Sequence, residues 1–236
     1  MIHRVEAPAG VRPRGAATPT VLPRGAVVQG YEILDFVAAG GMSQVYVARR
    51  DGERYLLKEV DGAEGRHVIA LNQEKFTLER LSHPGIVRVF DLFELDGFYY
   101  LVLEFIPGQS LDKLASPHCD ALLEEKVVLD WALQLCDIFA YLHGQDPPVI
   151  YRDLKPHNVI RDLRGRVRLV DFGVSRTLKD DQKARDTVLA GSTLTASPEH
   201  FGAAQTDARS DIFSLGATLS LLLSNGRSPL AEPFKF

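Results

Sequence analysis

The chain predicts an α+β fold of two lobes, an N-terminal one built on an antiparallel sheet with one helix and a mainly helical C-terminal one. Three observations carry this expectation. Short β-type runs crowd the interval from Tyr31 to Phe105, a single helical interval at 64–82 interrupts them, and helical spacing dominates beyond the Pro107-Gly108 breaker. The 236 residues are 45% apolar, enough for one large domain or two small lobes with a packed core.

Residues 1–30 hold eight Pro or Gly and no hydrophobic period, and Arg4, Arg12, Arg14 and Arg24 against Glu6 make them basic. They are expected to form a disordered leader outside the fold. From Tyr31 onward, runs at 31–37, 44–49 and 54–60, broken by Ala38-Ala39-Gly40-Gly41 and Asp51-Gly52, predict an antiparallel meander. Over 64–82 the period becomes helical, and Val68, Leu71, Leu78 and Leu81 share a stripe that also carries Glu74. A carboxylate on a buried face requires a partner. Strands follow at 86–93 and 97–105. Over 124–143 Val128, Trp131, Leu135, Ile138 and Leu142 recur at helical spacing and predict a core helix. Short strands at 149–151 and 166–172 and an apolar helix at 210–224 complete the pattern.

Several function classes are excluded. No run approaches eighteen apolar residues and the start lacks a signal-peptide core, so the default location is cytoplasmic, with a membrane anchor beyond residue 236 left open. The formal charge of −4 and the absence of a basic stripe argue against a nucleic-acid partner. Cys119 and Cys136 have no partnering His or Cys cluster, so neither a disulfide framework nor a zinc site is suggested.

Tyr151-Arg152-Asp153-Leu154-Lys155-Pro156-His157-Asn158 is followed, thirteen positions after Asn158, by Asp171-Phe172-Gly173, and both groups end strand-like runs. Phosphoryl transfer to a hydroxyl needs an acidic group beside that hydroxyl, a cation for the moving phosphoryl group and oxygen ligands for Mg²⁺. Asp153, Lys155, Asn158 and Asp171 supply that set.

The order of glycine loop, Lys58 strand, Glu74 helix, YRDLKPHN, DFG and Ser197-Pro198-Glu199 resembles a bacterial member of the eukaryotic-like serine/threonine protein kinases, from about Tyr31 to Pro229. The resemblance implies a bilobal protein-kinase-like fold over 31–236, split into 31–106 and 107–236, whose second lobe lacks its last helices. It implies ATP and Mg²⁺ as cofactors and Ser/Thr-containing proteins as substrates. Val37, Gly40 and Val45 would cover the nucleotide, Lys58 paired with Glu74 would grip its phosphates, and the backbone from Glu104 to Ile106 would hydrogen-bond adenine behind Leu103. Asp153 would accept the substrate hydroxyl proton, Lys155 would neutralise the transferring group, and Asn158 and Asp171 would hold Mg²⁺.

Departures from the family pattern are Ala38 and Ser43 at two of three glycine positions, Leu56 where alanine is usual, and Tyr151 for the usual histidine. The Tyr151 ring is expected to pack against Phe172 and Leu78, with a partner for its hydroxyl. Arg152 implies an activation segment ordered by phosphate within 174–197, with Thr187 as candidate phosphosite by autophosphorylation and Ser192 as a structural hydroxyl. Asp211 and Gly216 match residues that brace the catalytic loop in the family. The altered loop, Leu56 and the missing end leave a pseudokinase or nucleotide-binding scaffold as the alternative. A small-molecule phosphotransferase fits least, because the long activation-type segment and Ser-Pro-Glu serve protein docking in the family.

Overall fold

The computed structural model describes residues 21–40, 43–115, 123–177, 195–197 and 206–224. Two compact units divide the chain, one formed by the residues up to Phe76 with Arg88–Phe105, the other by Thr77–Val87 with the chain from Ile106 onward.

The first unit is an antiparallel sheet of β1 (Val27–Val28), β2 (Tyr31–Ala39), β3 (Gln44–Arg50), β4 (Glu53–Asp61), β5 (Val89–Leu95) and β6 (Phe98–Glu104), in the order β1-β2-β3-β4-β6-β5. One local device closes three of its turns. Gln29-Gly30, Asp51-Gly52 and Asp96-Gly97 all have positive φ at both residues, the conformation of two-residue hairpin loops whose twist matches that of the strands. Ile33, Tyr46, Ala48, Leu57, Tyr100 and Val102 form the buried face. The helix α1 (Gly65–Glu79) lies between β4 and β5 in the chain. Leu71, Glu74 and Leu78 are buried on it, whereas Leu81, expected on the same stripe, falls beyond the helix end.

Residues 21–30 correct the expectation of a leader running through residue 30. Leu22, Ala26 and Val28 are buried in the core of the sheet, Gly25 N–H donates to the Ile33 carbonyl at 2.8 Å, and Ile33 N–H donates to that of Ala26 at 2.8 Å. The glycines counted as disorder are turn residues, since Gly25 and Gly30 have φ of 85° and 84°. Residues 1–20 lie outside the described residues.

The second unit holds α2 (Leu111–Leu114), α3 (Glu125–His143) and α4 (Ala208–Leu223). It also holds two small sheets. In the first, β7 (Gly108–Ser110), β9 (Val159–Asp162) and β10 (Val167–Leu169) pair in the order β10-β9-β7; in the second, β8 (Val149–Ile150) pairs with β11 (Arg176–Thr177). The predicted stripe of α3 is buried at all five positions, and α4 starts on a reciprocal capping box between Asp207 and Ser210. The expected strand at 86–93 begins instead at Val89. The segment before it belongs to the second unit because Ser82 N–H donates to Tyr141 Oη at 2.7 Å, His83 Nε2 lies 3.1 Å from Asp137 Oδ2, and Ile86 bridges to Leu169. Pairing of β7 with β9 brings the chains so close that a Cβ on Gly108 would lie 2.2 Å from the Arg161 carbonyl oxygen. Among the described residues no helix is long and apolar enough to cross a membrane.

Asp162 closes the β9–β10 turn. Its Oδ1 accepts the N–H groups of Arg164 and Arg166 at 2.9 Å each, and its Oδ2 accepts Arg166 Nε at 3.0 Å. Burial alone would raise the carboxyl pKa, yet those donors hold it below the ordinary carboxylate range. A depressed carboxylate contributes stability above its unfolded pKa of about 4 and loses it as pH falls through the lower folded value. Urea unfolding should therefore find Asp162→Asn less stable than the native chain by about 1–2 kcal/mol at pH 7, with the gap closing below about pH 4. A gap that is constant with pH would remove the carboxylate's charge from this account.

Candidate active site

The expected residues fall into both units. Val37, Gly40, Val45, Lys58, Glu74 and Glu104 lie in the first; Ile106, Asp153, Lys155, Asn158 and Asp171 lie in the second.

In the first unit Lys58 is central on β4, opposite Val45 of β3 and Leu101 of β6, while Leu56 is opposite Leu103. Directly opposed residues and alternate residues of an antiparallel sheet share a face. Lys58 therefore emerges from an apolar surface of Val45, Leu56, Leu101 and Leu103. Its Nζ lies 2.7 Å from Glu74 Oε2, and the Glu74 side chain is 1% exposed. Gly40 closes the expected loop by donating its N–H to the Ser43 carbonyl at 2.8 Å; Gly41 and Met42 lie outside the described residues. Val37 is exposed near the end of β2. The Glu104 carboxylate accepts from the backbone N–H of Arg88 at 3.2 Å and from Arg88 Nε at 3.3 Å.

In the second unit a polar cluster forms around Asp153. Its Oδ2 accepts from Lys155 Nζ and Asn158 Nδ2, each at 2.8 Å, and its backbone carbonyl accepts from Asn158 Nδ2 at 2.9 Å. Carbonyl and carboxylate oxygens only accept, so the amide nitrogen of Asn158 must face Asp153, which reserves Asn158 Oδ1 for another donor or a cation. Asp153 Oδ1 is buried and has no hydrogen-bond partner among the described residues. Val170, immediately before Asp171, donates its N–H to the Asn158 carbonyl at 3.0 Å and receives the Tyr151 hydroxyl on its own carbonyl. The Asp171 segment is thereby tied to the Asn158 segment by backbone. Asp171 has φ of 61°, uncommon without glycine, and its Oδ1 lies 3.4 Å from Gly173 N. Ile106 is buried.

The loop is held from below by α4. Asp211, wholly buried, accepts the N–H of Tyr151 at 2.9 Å and that of Arg152 at 2.8 Å, and seven residues on, Thr218 Oγ1 reaches the Leu154 carbonyl at 3.4 Å. Gly216 lies on the same helix. The Tyr151 ring meets Phe172 edge-on at 5.0 Å, with Leu78 also buried in this unit. On the outer side His157 Nδ1 is 3.2 Å from Asp112 Oδ2; burial would raise the Asp112 pKa, but Ser110 and His157 together bring it below the ordinary value. Three participants escaped the sequence reading. Val170 acts through backbone, which no side-chain pattern records. His143, 2.8 Å from Asp211 Oδ2, sits one turn beyond Phe139 in an otherwise apolar helix end, a signal that was available. Arg176 withdraws Nε and Nη2 from solvent beside β8. Thr187 and Ser192 lie outside the described residues.

A sheet lysine paired with a helix carboxylate in one unit, and an aspartate, lysine and asparagine gathered on one loop of the other, are the groups expected of a protein kinase domain. The chain belongs to the protein kinase domain family, which matches residues 31–233. It is 30% identical to serine/threonine-protein kinase PrkC of Bacillus subtilis (strain 168), over 84% of this chain and 31% of that protein. It is 28% identical to probable serine/threonine-protein kinase PknB of Lactococcus lactis subsp. lactis (strain IL1403), over 82% of this chain and 31% of the relative. Against serine/threonine-protein kinase PknB of Mycobacterium leprae (strain TN) it is 28% identical over 87% of this chain and 35% of the other. The chain thus spans about a third of the length of these curated relatives.

Lys58 and Glu74 supply a stability test. Removing the cation in Lys58→Met leaves the buried Glu74 carboxylate short of a donor and should cost about 2–4 kcal/mol in chemical denaturation. The double variant Lys58→Met, Glu74→Leu should recover most of that loss. Equal stability of the native chain and Lys58→Met would refute the strength assigned to the pair.

Proposed function

We propose that this chain is an ATP- and Mg²⁺-dependent serine/threonine protein kinase domain, transferring the γ-phosphate to Ser or Thr hydroxyls of other proteins. The observation that carries the reading is the state of Asp153. One oxygen is held by Lys155 and Asn158, while the other is buried without a partner among the described residues. A buried carboxylate oxygen left unpaired is costly unless a substrate donor fills it, and a serine or threonine hydroxyl is such a donor.

Asp153 orients that hydroxyl and accepts its proton as the phosphoryl group departs from ATP. Lys155, already at the carboxylate, places its ammonium where negative charge on the transferring group develops. Lys58, steadied by Glu74, holds the α- and β-phosphates. Val37, Gly40 and Val45 cover the nucleotide, and the backbone of Glu104 and Ile106 takes the adenine edge. Asn158 Oδ1 and the Asp171 carboxylate are hard oxygen donors suited to Mg²⁺, which keeps waters and phosphate oxygens in its shell and needs few protein ligands. The ion, when bound, neutralises phosphate charge.

We place the sheet lobe from Leu22 to Phe105, apart from Thr77–Val87, and the helical lobe from Ile106 onward, in a cytoplasmic setting. The segment 174–197 is where autophosphorylation would act, since Arg152, directly before Asp153, is a cation suited to pairing with a phosphate.

Purified protein incubated with γ-labelled ATP, Mg²⁺ and a generic basic protein should label that substrate. Asp153→Asn should lower the rate by about a hundredfold or more, and chelation of Mg²⁺ should abolish labelling. Equal labelling by native and Asp153→Asn proteins would sink the assigned role.

A further inference from the structure

We propose that the Tyr46 hydroxyl is a positioning group for the nucleotide-covering loop, tying the chain at Leu22 to the stem of that loop so that residues 22–28 help to set how the loop is held. The inference rests on the kinase reading for the task of the loop, and goes beyond it in giving the segment before β2 a part in nucleotide binding.

The loop leaves the sheet after Ala39 and returns at Gln44, the last opposed pair of β2 and β3. Alternation along β3 divides its side chains into two sets. Val45, opposite Lys58, belongs to the face assigned to the nucleotide; Gln44, Tyr46 and Ala48 belong to the other and are buried. On that buried face the Tyr46 hydroxyl accepts the Leu22 N–H at 3.2 Å and donates to Gln44 Oε1. A phenol carries one proton, so with the amide donating to its oxygen that proton goes to Gln44. The Gln44 amide is thereby oriented, oxygen toward Tyr46 and nitrogen left as a donor on a face where the buried carboxylate of Glu59 stands directly opposite.

The other end of the relay is equally constrained. Leu22 is buried, and its N–H depends on the phenol oxygen. Further along, the same segment is bound to the sheet, where Gly25 and Ala26 hydrogen-bond Ile33 and Val27–Val28 pair with β2. The tyrosine ring is held edge-on at 5.7 Å by Phe36, its direct partner across β2 and β3. The hydroxyl therefore stands between a segment anchored at its far end and the stem of the loop. Losing it would release Leu22 N–H and Gln44 together, and an incoming nucleotide would bear the cost of ordering the stem.

Tyr46→Phe keeps the ring and its packing and removes only the hydroxyl. In the full chain it should quicken amide exchange by about fivefold at Leu22 and at Gly40, whose N–H closes the loop on the Ser43 carbonyl, with the amides of β6 within about twofold of native. Kd for ATP with Mg²⁺ should rise by about threefold or more, while kcat at saturating ATP stays within about twofold. Gln44→Met removes the acceptor at the other end and should quicken Leu22 exchange through the shared hydroxyl; combined with Tyr46→Phe it should add nothing further there. Gln44→Met gives the same comparison if Tyr46→Phe does not fold. Native exchange at Leu22 and Gly40 in Tyr46→Phe would overturn the proposal, as would native ATP affinity or additive quickening at Leu22 in the double variant. Quickening that extends equally to β6 would also overturn it, because a hydroxyl that merely stabilises the sheet loosens all of it alike. If the native chain binds no ATP, the nucleotide reading of the loop falls, and exchange at Leu22 and Gly40 alone decides whether the hydroxyl holds the stem.

Discussion

The buried carboxylate of Asp211 is the constraint on which the shape of the second unit's Asp153 loop depends. A lone carboxylate taken out of water is strongly disfavoured, and it is tolerated here because two loop amides and an imidazole face it. In return the loop is forced into a shape it would not adopt alone. A non-glycine residue in the left-handed region costs about 1–3 kcal/mol. Hydrogen bonds to a charged group contribute about 1.5–3 kcal/mol each, so two of them outweigh the strain at Arg152. The loop is held under tension, and Asp153 is its first residue beyond the strained one.

The first unit buries its own carboxylate by different means. Glu74 meets a lysine on a long, rotatable stem, whereas Asp211 meets amides fixed by the course of the backbone. Separating Lys58 from Glu74 requires side-chain rotation, which leaves the sheet intact. Separating Asp211 from Arg152 requires the loop itself to change conformation. The two anchors thus differ in the kind of motion that can break them, and the lysine pair is the one that side-chain motion alone can open. Lys58 also stands within an apolar face of Val45, Leu56, Leu101 and Leu103.

Legibility in the sequence followed the kind of interaction. The meander was readable because Asp51-Gly52 and the alternating strands around it obey local rules, and the α3 stripe was readable from its period. The partnership of Lys58 with Glu74 could be inferred because a charge at a buried helical position demands an opposite one. Residues 21–30 were misread, since composition cannot separate a glycine that disorders from one that turns, and only Ile33 and Tyr46 reveal which is meant. Pairing of β7 with β9 was missed for a similar reason: three residues carry too little pattern, and the need for glycine at 108 arises from Arg161, far along the chain. Of the site, side-chain candidates could be named from the sequence and backbone contacts could not, which is why Val170 went unnoticed.

Tyr151 illustrates how a departure from the family pattern is absorbed. A six-membered ring at that position still meets Phe172 edge-on, so the apolar contact expected of the usual histidine survives. The added hydroxyl in a fully buried residue would be a liability without a partner, and it donates to the Val170 carbonyl. Val170 also donates its N–H to Asn158, so the same residue is gripped on both sides by the segment that carries Asp153. The tyrosine therefore adds a link between the two motifs. Asp171, next to Val170 and itself at positive φ, inherits its position from that link. Its backbone is therefore set by bonds one residue away.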